Sequence, residues 1–225
     1  GSKAKVLMIE KGNELEKRKC PIDGIKVKSC VHCKSCDIMN GYGGAGSLSD
    51  GKYNITNNFG GDLYKYIGRQ EALDLMYYVD KVLCDHGGSD AKLYSTADST
   101  LKTEALKHDL HLLDAKVRHL GTDRNVKILG NIYNKIKDSI EMKFNTEVID
   151  IEKQGEEFIV KTNDEEFRCK DIIVATGRSG SKWISNVCTK LGIESRSNRV
   201  DIGVRVELPA AVFEHITEKV YESKI

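Results

Sequence analysis

The sequence predicts an α/β fold, and three observations carry that expectation. "AKVLMIEKG" (4–12) is a short apolar run closed by an acid and a glycine, the pattern of a buried strand in a parallel sheet. From residue 61 the apolar residues recur at helical spacing until Gly87-Gly88 ends the run. From "TEVIDIEKQ" onward, short alternating runs separated by turn residues close on the apolar "DIIVATG", the pattern of a meander followed by a buried strand.

Each element follows from its own residues. "NELEKRKC" is too polar to bury much and reads as a short exposed helix or loop. The stretch "CVHCKSCDIMNGYGGAGSLSDGKYN" (30–54) is irregular, because glycine supplies backbone angles that other residues resist. Leu63, Tyr66 and Ile67, then Leu73, Met76 and Tyr77, then Val79, Val82 and Leu83 mark the helical face. The polar stretch that follows continues with helix, and "LHLLDAKVRHLGTD" gives a strand and a turn. In "RNVKILGNIYNKIKDSI" one side carries Val126, Ile128, Leu129, Ile132, Ile136 and Ile140, an amphipathic helix that Thr122 or Asp123 is placed to cap. Three short strands follow, and Asp171 to Ala175 form a buried strand running into a Thr-Gly turn. "RVDIGVRVELP" reads as a strand opening a second region, and a helix runs through "AAVFEHITEKVY".

With 225 residues the chain can bury a substantial core. Its 35 Lys and Arg balance 34 Asp and Glu, so no global field gathers polyanions, which argues against nucleic acid as the main partner. No stretch reaches the roughly 20 apolar residues of a membrane span, so a soluble, cytoplasmic protein without a membrane partner is expected. Four of the seven cysteines fall close together and three are scattered, which is unlike a secreted disulfide framework.

Glu10, at the tip of "VLMIE", has the position of the acid that bonds the adenosine ribose in a dinucleotide-binding βαβ unit. The companion G-x-G-x-x-G turn is absent because the chain begins at Gly1: either Glu10 is a solvated strand-end acid without that role, or the chain is a piece that starts after that phosphate loop. "DIIVATGRSG" supplies small residues where a backbone would lie against a cofactor. Strand with acid, glycine-rich loop, helices, meander, then strand with Ala-Thr-Gly is a specific order.

On "IEKG...KRKCP", "C..C..C.I.NGYGGAGSLSDGK", "RHLGTD", "IIVATGRSG" and "DIGVRVELP", the chain resembles the FAD-dependent oxidoreductases of the glutathione-reductase-like, two-dinucleotide-motif type. More narrowly it resembles their poorly characterised bacterial "FAD-dependent dehydrogenase" branch. The resemblance implies a Rossmann-like FAD-binding domain, lacking its first βα, over 1–60 and 117–182. It implies a mainly helical insertion over 61–116 and the start of a second, substrate domain over 183–225. It implies that Glu10 takes the ribose and Lys11 lies beside the adenine. Gly43, Gly44, Ala45 and Gly46 would admit the flavin, and Ser49, Asp50, Gly51 and Lys52 would continue that wall. Val148 would meet the adenine through its backbone, and Ala175, Thr176 and Gly177 would pack against the cofactor. A nicotinamide nucleotide, NAD(P)H, is an electron source compatible with this reading, although no second glycine fingerprint requires it. The substrate would be a small molecule.

Cys30, Cys33 and Cys36 at C-x-x-C-x-x-C spacing, with Cys20 before Pro21, bring four thiols together in sequence. Three readings stand side by side. The four could hold a structural Zn²⁺ or an iron–sulfur cluster. A C-x-x-C pair could exchange electrons with a flavin. They could also be reduced thiols packing a loop. For catalysis the candidates are His119, which could move a proton beside a flavin, and Arg118, which could steady an anion. Arg205 lies on the strand expected to lead out of the FAD domain. Two other functions compete: a zinc-stabilised binding module without catalysis, and a flavin-dependent RNA-modifying enzyme, against which the balanced charge argues.

Overall fold

The structure is a computed structural model, and it describes residues 4–97, 100–197 and 202–225. The described residues form a mixed α/β chain in the order β1 (Leu7–Ile9), β2 (Lys52–Ile55), α1 (Tyr64–Ile67), α2 (Arg69–Leu83), β3 (Leu93–Ser95) and α3 (Thr100–Leu106). Then follow β4 (Lys116–His119), α4 (Thr122–Ile136), β5 (Glu141–Lys143), β6 (Val148–Gln154), β7 (Glu157–Thr162), β8 (Glu166–Cys169), α5 (Ser181–Lys190) and α6 (Ala210–Thr217). The chain divides into two compact units. Unit 1 holds Gly1–Ser47 and Tyr133–Asp201, and unit 2 holds Leu48–Ile132 and Ile202–Ile225.

In unit 1, β1 pairs in parallel with β5, Leu7 opposite Glu141 and Ile9 opposite Lys143. The pairing continues past the strand, where Glu10 N donates to Lys143 O at 2.8 Å and Thr146 N donates to Glu10 O at 3.1 Å. The predicted meander is present as the antiparallel sheet β6-β7-β8. Ile151, Ile159 and Val160 are buried, and since Ile159 and Val160 are adjacent on β7, burial there reaches both faces of the sheet. Tyr133 packs its ring edge against Tyr42, with centroids 5.0 Å apart, and leans on Phe144.

Helix α5 is fixed to β6 at two points. Trp183 Nε1 donates to Ile149 O at 2.9 Å, and Lys190 Nζ meets Asp150 Oδ2 at 2.6 Å. The Lys190 hydrogen bond holds the Asp150 carboxyl below its usual range, and desolvation only partly opposes it. A depressed folded value stabilises the fold above the unfolded value and loses that contribution as pH falls through the folded one. Lys190→Ala is therefore expected to lower stability at neutral pH and to flatten its acid dependence. Urea titrations of both proteins at a series of acidic pH values check this, and parallel curves would refute it.

Unit 2 contains the antiparallel sheet β2-β4-β3. Leu83, Ala91, Leu120 and Ile128 form its buried cluster, with Tyr53 and Ile132 against it. Gly68 (φ 93°) separates α1 from α2, and Gly87 (φ 117°) turns the chain out of the wider turn 84–88 that follows α2. Both are conformations that glycine adopts at least cost. The expected helix beyond residue 89 is shorter than its polar pattern suggests: β3 intervenes before α3.

Two expected strands are absent as ladders. Residues 171–176 join no sheet, and Ile173 is 94% exposed. An apolar run becomes a buried strand only when a neighbouring strand takes its backbone groups, and no described strand pairs with this one. The strand expected over 199–209 begins outside the described residues. Its remainder joins no sheet, and Ile202 and Val204 are 96% and 90% exposed. No helix among the described residues is long and apolar enough to cross a membrane.

Candidate functional site

Unit 1 gathers three sequence-distant motifs where the chain leaves β1. Glu10 Oε1 accepts from Gly12 N and from Gly41 N, both at 2.8 Å. That bond draws the glycine-rich segment onto the strand end. Glycine is required at both contacts. A Cβ on Gly12 would lie 2.4 Å from Gly41 N, and Gly41 (φ 106°) lies so close to Arg18 that a Cβ would meet its Cδ at 2.6 Å. Asn13 O accepts from Tyr42 N at 2.9 Å, which closes the crossing.

Arg18, which lies in "KRKCP" but is given no role by the sequence, holds the segment from beneath. It is 8% exposed and donates to Asp37 O at 2.8 Å, Ile38 O at 3.1 Å, Tyr42 O at 2.7 Å and Ser47 Oγ. Burial presses its guanidinium below the ordinary value, while the carboxylates of Glu10 and Asp37 favour the charge. Four backbone and hydroxyl acceptors around one fork fix the loop's shape.

Above that base the glycine turn is open. Gly43 and Gly44 adopt φ of 77° and 60°, and Gly43, Ala45 and Gly46 are exposed. A Cβ on Gly44 or Gly46 would meet nothing within 4 Å. The third motif arrives through Ser179, whose Oγ donates to Asn40 Oδ1 at 2.8 Å. Ala175, Thr176 and Gly177 just before it are exposed, and Gly177 (φ 61°) also has open space over its Cα. Lys11 is ion-paired with Glu147 at 2.6 Å, and Val148 opens β6 half-buried.

Ser49, Asp50, Gly51 and Lys52 belong to unit 2. Ser49 Oγ accepts from Gly51 N at 3.3 Å. Gly51 is buried with φ 63°, and a Cβ there would come within 2.9 Å of Asn125 Cβ. Its glycine serves close packing on α4. Lys52 meets Glu222 at 2.5 Å. Asp50 Oδ2 accepts from Tyr221 Oη at 3.2 Å and lies 3.9 Å from His119 Nε2, while the His119 ring stacks on Tyr221 at 4.2 Å. Burial, then the neighbouring Asp50 carboxylate, holds the Tyr221 phenol above its ordinary value, so it stays the donor in this pair. Thus His119 keeps ionisable company, and Tyr221, absent from the sequence-predicted residues, is its closest ring partner.

Arg118 has a different task from the one expected. It is 8% exposed, donates Nη2 to Asp80 Oδ2 at 2.8 Å and Nη1 to Ala91 O at 2.6 Å, and bonds Asp80 Oδ1 through Nε. Its donors face the interior and tie α2 to the sheet. Arg205 is exposed and pairs with Glu207 at 2.8 Å. All seven cysteines are free, and Cys20, Cys30, Cys33 and Cys36 line one pocket of about 240 Å³ in unit 1. Among the described residues no three His, Cys, Asp or Glu side chains already stand in metal-binding geometry.

The chain matches no family model and no curated protein. The functional reading therefore rests on the residues themselves.

Proposed function

We propose that this chain is part of an FAD-dependent oxidoreductase acting on a small molecule, with a Rossmann-like arrangement about β1 as its cofactor cradle. One observation carries the reading. The Glu10–Gly41 and Ser179–Asn40 hydrogen bonds converge the strand-end acid, the glycine turn and the Ala-Thr-Gly turn within one unit. These are the three motifs a dinucleotide cradle of this type needs together.

The residues present fit the group. Gly44, Gly46 and Gly177 leave open the space that side chains would fill, so a planar ring or a pyrophosphate can approach the backbone. Arg18 keeps the turn rigid from its buried side, which limits the ordering cost on binding. Glu10 Oε2 takes part in neither of the two amide bonds and is the acceptor available to a ribose hydroxyl. Bound there, the isoalloxazine supplies electron or hydride transfer.

The test is the visible spectrum of the purified protein, followed by titration with FAD. Two flavin bands that bleach with dithionite are expected. A colourless protein that takes up no added FAD overturns the proposal. Gly46→Leu tests the cradle without backbone strain, because Gly46 has no left-handed φ and open space above it. It is expected to weaken FAD binding by roughly tenfold or more, about 1.4 kcal/mol, with thermal unfolding little changed. Undiminished affinity would place the flavin elsewhere.

A further inference from the structure

We propose that Cys20, Cys30, Cys33 and Cys36 bind one zinc ion as four thiolates, and that the ion orders the segment 19–36. The inference concerns a site separate from the flavin reading and stands without it. Residues 19–36 form no helix or strand, and not one of them is buried. A chain of that length carries a full entropic cost of ordering with no buried side chain to offset it. What its residues share is a single pocket that all four cysteines line, with Pro21 and Ile22 as apolar wall.

The mouth of the loop is already closed. Lys19 N, just before Cys20, donates to Asp37 Oδ2 at 3.1 Å, and Arg18 Nε donates to Asp37 O at 2.8 Å, just after Cys36. The two flanks are therefore held together before any ligand binds. At the knuckle, His32 (φ 52°) turns its backbone N–H onto Cys30 Sγ at 3.4 Å. Ser35, between Cys33 and Cys36 in sequence, is half-exposed as a residue, but its Oγ atom is enclosed and has no hydrogen-bond partner.

Charge agrees. Four thiolates around Zn²⁺ leave two negative charges, and the segment carries Lys19, Lys26, Lys28 and Lys34 against Asp23 alone. Cys30 and Cys33 are exposed, which would leave an iron–sulfur cluster open to solvent and oxidation, whereas zinc has no redox chemistry and tolerates it. Because no three donors stand preassembled, the ion gathers its ligands as it binds, a coupled ordering. Binding forms four Zn–S bonds, breaks four S–H bonds and releases the four protons to solvent.

The test uses the full chain, purified under reducing conditions without chelators and assayed for zinc by mass spectrometry, whatever its flavin colour. About one zinc per chain is expected. Zinc should disappear in Cys30→Ser/Cys33→Ser and persist in Cys84→Ser/Cys169→Ser/Cys188→Ser. Two measurements on the wild-type chain avoid reliance on variants that fail to fold. Cobalt added to the metal-free, reduced protein should give thiolate-to-cobalt charge transfer and the spectrum of a tetrahedral site. Zinc at tenfold above its Kd should slow tryptic cleavage at Lys26 and Lys28 by about tenfold, the mass-action factor 1 + [L]/Kd. A reduced chain that takes up neither zinc nor cobalt overturns the proposal. So does iron with acid-labile sulfide in place of zinc, or zinc retained by the Cys30/Cys33 variant.

Discussion

Asp80→Ala is expected to destabilise unit 2 by about 3–5 kcal/mol, the cost of leaving one partner of a buried ion pair alone. Asp80 and Arg118 are each 8% exposed, and the carboxylate takes two of the guanidinium's donors. Removing it leaves Arg118 charged, buried and bonded only through Nη1 to Ala91 O. Arg118 cannot escape by losing its proton, because no arginine titrates near neutrality. The measurement is amide hydrogen exchange at Val117 and its neighbours in β4, expected to accelerate by about 10²–10⁴-fold. The double change Asp80→Leu/Arg118→Met separates charge from shape. It is expected to recover most of the loss, since an apolar pair of similar volume replaces a buried ion pair at little cost. Unchanged exchange in Asp80→Ala would mean that the pair is solvated in solution.

Glu10→Ala carries the second large effect, and it falls on unit 1. One carboxylate oxygen satisfies two backbone amides, and hydrogen bonds to a charged group contribute about 1.5–3 kcal/mol each, so a loss of about 3–6 kcal/mol is expected. The charge also faces Arg18, whose burial opposes its ionisation. Glu10→Gln retains an acceptor without the charge and should lose only about 1–2 kcal/mol. Trp183, the chain's one tryptophan, lies in α5 of unit 1, so its fluorescence in urea reports this unit. FAD titration of the same proteins should rank them wild type, Gln, then Ala. Equal stability of Ala and wild type would show that the two amides find other acceptors.

Much of this was legible in the residues, and the failures have physical causes. The meander β6-β7-β8 follows from short runs that mix apolar and polar residues and from Gly155, whose φ of 61° makes the first turn. Helices α2 and α4 follow from their period. Strands β3 and β5 span three residues each, too few for any period to register. Residues 171–176 and 202–208 have the composition of strands but no pairing partner among the described residues, and composition carries no information about partners. Arg18, Asp80 and Tyr221 escaped notice for one reason. Their roles are defined by groups far along the chain: Tyr42 is 24 residues from Arg18, Arg118 is 38 from Asp80, and Asp50 is 171 from Tyr221. At the glycine turn the reverse holds. Glu10, Gly43, Gly44 and Gly177 announce themselves because their constraint is local: an acid at a strand end, or a backbone angle that side chains resist.

The interleaving of the two units sets a timetable for synthesis. The sheet of unit 2 pairs residues between Lys52 and His119, so its strands can close as soon as that stretch leaves the ribosome. β1 is made before β5 and must wait for it, with Leu7 opposite Glu141. At about 5–20 residues per second, that delay of about 130 residues lasts roughly 7–27 s. For that interval β1 of the nascent chain lacks the strand it pairs with in the fold. Chaperone capture of the emerging chain should therefore concentrate on β1 and fade once residue 143 has emerged.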